Sequence, residues 1–382
     1  MRDDKIRPIV GLDIGSTGLR AAQLGWDRKA GAYRVERIAD QDLPPGIVEH
    51  GVPVDTRQLA KALKRLWRAG RFRTRHVVVG VPDSTLLTRQ VDLPWMPPTD
   101  FAAALRYQVE DVLPVDPQTA ALGYHVLAEV PSEGEAAGSN DNNRILLVSG
   151  DRTAMENLAD VLRRGGLQVD SADSTALALM RADQNGVLRD GTGVRAIADL
   201  GANHLTVSVM DNGQPVLLRS IADIGGAAAT AQIADKLDLP IAEAEDLKRR
   251  IGLNGPPPEV APLPESSVFG ALPSTGARQL DERAEVVMGV LNSWATTVVS
   301  ELRNSLDYYR RATPSSTITR LTLVGRGMDL DGMTERVATQ ITVPLTKRGP
   351  FLGLEAVKSA SKHIPGDTRM AAAVGLAMGR PR

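Results

Sequence analysis

No cysteine occurs in the 382 residues of this chain, which excludes disulfides, thiolate zinc sites and cysteine nucleophiles and fits a reducing compartment. A dominant charge is also missing. The formal net charge is −1, so no overall attraction draws the chain to nucleic acid, and only local patches such as Arg71-Phe-Arg-Thr-Arg-His76 are basic. That cluster reads as a solvated loop ahead of the next strand. Long apolar runs are absent as well. The opening residues MRDDKIRPIV have no apolar core of signal-peptide length, and no window approaches the roughly 18 apolar residues of a membrane-spanning helix. These absences predict a cytoplasmic chain. What remains, 42% hydrophobic and 24% charged residues, is the balance of a globular protein long enough for two or three domains of roughly 150 residues.

Apolar periodicity divides the chain into elements. Ile9–Leu12, Leu19–Trp26 and Tyr33–Asp40 predict a strand meander, Asp55–Ala69 a helix through Leu59, Leu63 and Leu66, and His76–Val81 a buried strand. A capped helix is predicted from Thr99 and Asp100 to about Val112, then strands Ala121–Val130 and Arg144–Ser149 around the polar loop Pro131–Asn143, then a helix at Thr153–Arg164. Ser174–Ala182 reads as helical. After the second apolar run, Val194–Met210, helices are predicted at Gly225–Leu237 and Ile241–Ile251, and Asn254–Gly276, with six prolines and three glycines, as a loop. The stripe Ala284, Val287, Leu291, Trp294, Val298, Leu302, Leu306, Tyr309 marks a long core helix over Asp281–Ala312. Strands Arg320–Val324 and Ile341–Leu345, a helix from Asp331 and an alanine-rich helix Asp367–Met378 complete the pattern.

The chemistry lies in a repeated turn. Gly11-Leu-Asp-Ile-Gly-Ser-Thr-Gly-Leu19 matches Ile197-Ala-Asp-Leu-Gly-Ala-Asn-His-Leu205 at the aspartate, the apolar residue, the glycine and the final leucine. A strand–turn–strand without side-chain bulk exposes successive backbone N–H groups that can wrap phosphate oxygens. The strand-end carboxylates Asp13 and Asp199 can hold a hydrated Mg²⁺, which takes one or two carboxylates and keeps much of its water. One Asp-x-Gly turn marks an ordinary hairpin. Two of them, each opening one half of the chain, predict a cleft that clasps phosphate from both sides. A third turn, Gly325-Arg-Gly-Met328, ends another apolar strand, where glycines let backbone approach a flat ligand. Glu245 and Lys248, at helical i,i+3 spacing, read as a surface ion pair.

In this order the motifs resemble the actin-like ATPases, which include actin, sugar kinases and heat-shock chaperones. Asp13-Ile-Gly-Ser-Thr17 and Asp199-Leu-Gly-Ala-Asn203 look like the two phosphate loops, and Gly325-Arg-Gly-Met328 like the adenosine-contacting turn. The resemblance implies nucleotide contacts from Asp13, Gly15, Ser16, Thr17, Gly18, Arg20, Asp199, Gly201, Ala202, Asn203, Gly325, Arg326, Gly327 and Met328. It also places Gly225 and Gly226 near the phosphates and Glu245 and Lys248 beside the adenosine. Arg326 stands where a small residue is usual, and Ala202 carries no hydroxyl. Within the superfamily, Val79-Gly-Val-Pro-Asp-Ser84, Tyr107-Gln-Val-Glu-Asp-Val-Leu-Pro114, Val169-Asp-Ser-Ala-Asp-Ser-Thr-Ala176 and Ala242-Glu-Ala-Glu-Asp-Leu-Lys248 resemble the PilM family of type IV pilus assembly proteins.

That resemblance implies an α/β, two-lobed actin-like ATPase fold of duplicated ribonuclease-H-like cores with a small inserted α+β subdomain. Lobe I would comprise residues 1–85, 168–193 and a C-terminal helix at about 361–382, the insertion 86–167, and lobe II 194–360 with the proline-rich loop 254–276. It implies ATP and Mg²⁺ as ligands, slow or absent hydrolysis, and docking of the cytoplasmic N-terminus of a PilN-like bitopic protein on the insertion. Other pilus platform proteins would be partners, and the membrane would be reached only indirectly. Two alternatives stay open. A small-molecule kinase would need an aspartate base, and Asp173 and Asp223, the candidates, read as cap or turn residues. Lack of cysteine removes the zinc site of one sugar-kinase branch. A divisome filament like FtsA would carry a C-terminal amphipathic helix, whereas Gly379-Arg-Pro-Arg382 follows directly on the last predicted helix.

Overall fold

The computed structural model describes residues 9–27, 29, 31–108, 116, 118–130, 142–185, 193–255, 275–346, 354–356 and 368–379. The first lobe is laid down by β1 (Val10–Gly15), β2 (Gly18–Asp27) and β3 (Ala32–Asp42), a small hairpin of β4 (Val48–Glu49) and β5 (Val52–Pro53), then α1 (Thr56–Gly70) and β6 (His76–Val81). An excursion follows through β7 (Leu86–Pro94), α2 (Pro98–Gln108), β8 (Ala120–Val130) and β9 (Asn142–Asp151). The chain returns with α3 (Arg152–Arg164), β10 (Gln168–Ser174) and α4 (Thr175–Asn185). The second lobe holds β11 (Val194–Leu200), β12 (His204–Asp211), β13 (Gln214–Ala222), α5 (Gly226–Leu237), α6 (Ile241–Ile251), α7 (Thr275–Ala312), β14 (Ile318–Val324), α8 (Met333–Gln340) and β15 (Leu345–Thr346). Last come β16 (Glu355–Ala356) and α9 (Ala371–Met378).

The internal repeat extends from a motif to a whole topology. The first sheet runs β10-β6-β1-β2-β3-β16 and the second β13-β12-β11-β14-β15. In each, three strands form an antiparallel meander whose first member also pairs in parallel with a later strand. Asp13 and Asp199 therefore occupy equivalent places, at the carboxyl end of the first meander strand. In such open sheets this edge is where ligands bind.

Each sheet buries one face under helices with the expected apolar stripes, and α4 and α9 pack against the other. Leu59, Leu63, Leu66 and Trp67 of α1 pack on Leu12, Leu19, Val77 and Val79 of the first sheet. Val287, Leu291, Trp294, Val298, Leu302 and Leu306 of α7 pack on the second. The excursion forms its own three-stranded antiparallel sheet, β7-β9-β8, closed by Phe101 and Leu105 of α2. α4 and α9 fill the space between lobes, where Leu179, Met180, Ala371 and Ala372 join Ile197, Met210 and Val324 in one apolar cluster. α9 is buried throughout, and a Cβ on its Gly375 would overlap the Ala178 carbonyl of α4.

Four expectations about boundaries change. Leu158, Val161 and Leu162 of α3 share a cluster with α1, so we end the inserted unit at Asp151 rather than near residue 167. β16 pairs in parallel with Arg34 and Val35 of β3, which assigns residues 355–356 to the first lobe's sheet. The strand expected at Ile341–Leu345 forms at Leu345–Thr346, and α7 starts at Thr275, inside the expected loop. β7, β10 and β13 lacked a sequence signal because most of their residues are only partly buried or exposed. The expected helix end at residues 109–112, the body of the 131–143 loop and the proline-rich 256–274 lie outside the described residues.

Candidate functional site

The two aspartate turns meet in a cleft between the lobes. β1 and β2 close through Ser16-Thr17, with Gly15 opposite Gly18, and β11 and β12 close through Gly201-Ala-Asn, with the Gly201 amide donating to the His204 carbonyl at 2.9 Å. The side chain of Asn203 donates to the Ser16 hydroxyl at 2.8 Å, so the turns touch across the mouth. Arg326 reaches Asp42 at 2.9 Å and His50 lies 3.6 Å from Asp223, both also between lobes. The enclosed space is about 90 Å³, below the roughly 300 Å³ at the lower end of small-molecule sites. A nucleotide would have to part these turns to enter.

Two features of the lining call for a ligand with negative oxygens and an associated cation. Among the described residues, the backbone N–H groups of Ser16, Thr17, Ala202 and Asn203 donate to no acceptor, which leaves two pairs of donors at the cleft from opposite sides. Between them stand two carboxylates. Asp13 is held by Arg20 at 3.1 Å. No hydrogen-bond donor among the described residues reaches Asp199; His204 Nε2 is 4.0 Å from its Oδ2. Burial pushes the Asp199 carboxyl above the ordinary value and the charge of Asp13 adds to this, while His204 and Arg20 oppose it. A hydrated divalent ion would relieve that cost. No cluster of three or more metal-ligating side chains occurs among the described residues.

The family model for the type IV pilus assembly protein PilM matches residues 11–256 and 277–381. The chain belongs to that family. Among solved structures, a PilM–PilN type IV pilus biogenesis complex is similar over 97% of each chain, at 20% identity and a TM-score of 0.75. The diol dehydratase-reactivating factor in nucleotide-free form aligns over 98% of this chain and 99% of its own, at 12% identity and a TM-score of 0.50. MreB 5 of Spiroplasma citri bound to AMPPNP aligns over 98% and 96%, at 13% identity and 0.49. With that likeness to a PilM structure, the PilM-family chain has a two-lobed fold built on its duplicated sheets.

Not every expected residue reaches the cleft of this PilM-family fold. Asp13, Gly15, Ser16, Thr17, Arg20, Asp199, Gly201, Ala202, Asn203, Gly325 and Arg326 line it. Gly225 and Gly226 brace it from behind: the amides of Gly226 and Ala227 donate to the Gly201 and Ala202 carbonyls at 3.0 and 2.8 Å. Lys248 is buried, not superficial, and its ammonium is consumed by Gly226 O at 3.0 Å, Thr230 Oγ1 at 2.8 Å and Glu245 Oε2 at 2.5 Å. Burial alone would raise the Glu245 carboxyl, but Lys248, Thr230 and Arg249 hold it below its ordinary value. The pair therefore rivets α5 to α6. Met328 is core, Gly327 packs against Leu200, and Gly18 sits tightly beside Gln41 of β3. The candidate bases also have other work, Asp173 pairing with Arg181 and Asp223 lying beside His50.

Two residues escaped the sequence reading. His204 lines the cleft at the position equivalent to Gly18, and the repeat itself could have marked it. Asp83, 8% exposed, accepts from Ser174 Oγ at 2.6 Å and from the Ala176 amide at 2.8 Å, capping α4 where that helix leaves the first sheet. Burial raises its carboxyl to about 6 against those two hydrogen bonds. Nothing in Val81-Pro-Asp-Ser84 distinguishes this aspartate from one in a turn.

Proposed function

We propose that the protein is an ATP-binding scaffold of the type IV pilus assembly platform, whose inserted unit docks the cytoplasmic N-terminal segment of a PilN-like bitopic protein. The observation that carries the nucleotide reading is the pair of bulk-free turns facing each other with unpaired amides and Asp13 and Asp199 between them. ATP with Mg²⁺ would supply a polyanion and its counter-ion to this cleft, with the amides of Ser16, Thr17, Ala202 and Asn203 toward phosphate oxygens. Asp13 and Asp199 would hold the ion through water. Because the cleft lies between lobes joined by α4 and α9, its occupancy is coupled to lobe separation. Hydrolysis is slow or absent on this reading, since no lining carboxylate among the described residues is both free of a partner and well solvated.

Partner docking draws on the inserted unit, which exposes Leu87 of β7, Trp95 just after it, Tyr107 of α2 and Val126 of β8, an apolar set suited to an amphipathic segment. Family membership and the likeness to a PilM–PilN complex support this reading over a kinase or a divisome filament. Other pilus platform proteins would assemble on the same scaffold. No helix among the described residues is long and apolar enough to cross a membrane, and we place the protein in the cytoplasm, held at the inner membrane face through its partner. Nucleotide carried by the purified chain should fall sharply in Asp199→Ala, and equal content in both would remove Asp199 from the site. Titration with the N-terminal peptide of a co-encoded bitopic protein should saturate; absence of saturable binding would favour the kinase or filament alternatives.

A further inference from the structure

We propose that a second, basic pocket on the outer side of the first lobe is a binding site for a phosphate-bearing polyanion. The pocket encloses about 720 Å³ and is lined by Lys64, Trp67, Arg68, Phe72, Arg73 and Arg75 together with Thr74, Gly165 and Gly166. It is built from the last turns of α1, the segment that follows them and the glycine turn after α3, and it shares no residue with the inter-lobe cleft. Its size falls within the roughly 300–1,000 Å³ of small-molecule sites.

The walls are rigid where they are apolar. Trp67 Nε1 donates to the Thr74 carbonyl at 2.8 Å, and the Phe72 ring leans on the indole with centroids 4.9 Å apart. This folds the Arg71–His76 segment back over the end of α1. Arg71 caps that helix at φ 49°, a left-handed backbone that turns the chain sharply. On the facing side Gly166, at φ 83°, leaves room for Arg75, whose Nη1 donates to the Gly166 carbonyl at 3.0 Å.

The charges are not explained by the fold. Basic residues often gather at helix C-termini, and α1 and α3 both end here. Each end carries roughly −0.5 charge, about −1 together, whereas Lys64, Arg68, Arg73 and Arg75 bring four cations. Roughly three positive charges are left over. None of the four pairs with a carboxylate among the described residues, and no acid lines the pocket. Asp170, on the neighbouring strand, is already taken by His76 at 2.7 Å. Three exposed side chains, Lys64, Arg68 and Arg73, therefore converge on one concave space with their donors unspent. Arginine forks match phosphate oxygens in pairs.

The phosphate can belong to a free small molecule or to the headgroup of an anionic lipid. Calorimetric titration of the full chain with pyrophosphate, at fixed ionic strength, should give saturable one-to-one binding. The double variant Arg68→Ser, Arg73→Ser should weaken it by about tenfold or more for each lost charged hydrogen bond. Both positions are exposed, so an unchanged melting temperature checks that the fold survives. Asp199→Ala, altered in the cleft, should keep the pyrophosphate binding that the double variant loses, and the double variant should keep the wild type's nucleotide content, which separates this site from the nucleotide reading. In parallel, the chain is sedimented with phosphatidylglycerol vesicles and with phosphatidylcholine vesicles. Saturation by pyrophosphate without vesicle binding assigns a free ligand, whereas added binding to phosphatidylglycerol that Arg68→Ser, Arg73→Ser abolishes assigns the headgroup. Absence of both, or equal binding by wild type and the double variant, overturns the proposal.

Discussion

Replacing Asp183 should uncouple α4 from the second lobe at a cost that the structure allows to be ranked. Asp183 ends a three-way network: Arg195 Nη1 and Arg320 Nη2 each lie 3.0 Å from its Oδ2, and the Thr322 hydroxyl donates to Oδ1 at 3.1 Å. The side chains of Asp183 and Arg195 are 11% and 5% exposed. One carboxylate thus serves two arginines, and neither Nε–H has a hydrogen-bond partner among the described residues. Burial already pulls the Arg195 guanidinium below its ordinary value, Asp183 opposes this and Arg320 adds to it. Asp183→Ala leaves both cations in low dielectric, and breaking a buried pair from one side costs about 3–5 kcal/mol. Arg195→Met removes the less satisfied cation while Asp183 keeps Arg320, a change that is often neutral or stabilising. At about 2–4 °C per kcal/mol for a unit of this size, calorimetry should show the second lobe's transition falling by roughly 6–20 °C in Asp183→Ala and hardly moving in Arg195→Met. Equal losses in the two variants would refute the reasoning.

Asp83 predicts a pH dependence. Its folded value, about 6, lies above the 3.8 of an ordinary aspartate, so the folded state takes up the proton first and this residue adds stability as pH falls from about 7 toward 4. The shift corresponds to about 3 kcal/mol; Asp83→Asn should be the more stable chain at pH 8 with the difference shrinking by pH 4.5, and parallel urea profiles at both pH values would contradict it. Gly375→Ala should cost at least about 3 kcal/mol by forcing α9 off Ala178, whereas Gly289→Ala, in α7 with nothing within 4 Å of the added methyl, should stabilise by about 0.5–1 kcal/mol. Asn203→Ala removes the bridge to Ser16 and should speed nucleotide entry in stopped flow with little change in melting temperature. An unchanged rate would mean that the turns do not gate the cleft.

Much of this protein was determined by sequence alone. The aspartate turns, the helical stripes of α1 and α7 and the apolar strands are local patterns, because burial of one face imposes a period of 3.6 or 2 on the residues themselves. The echo of Asp13 at Asp199 was enough to place two equivalent strand ends opposite each other. Other assignments depended on residues far apart in the chain. Lys248 looks like half of an exposed pair until α5 brings Gly226 and Thr230 to it. α3 follows the inserted sheet in sequence yet packs on α1, and residues 355–356 complete a sheet begun at residue 10. Asp83 acquires its raised carboxyl only because the fold buries it, against the hydrogen bonds from Ser174 and Ala176, which are carried to it from 91 and 93 positions away. Such facts are invisible to periodicity, since desolvation and charge pairing act through distance in space, and only the tertiary structure decides which distances are short.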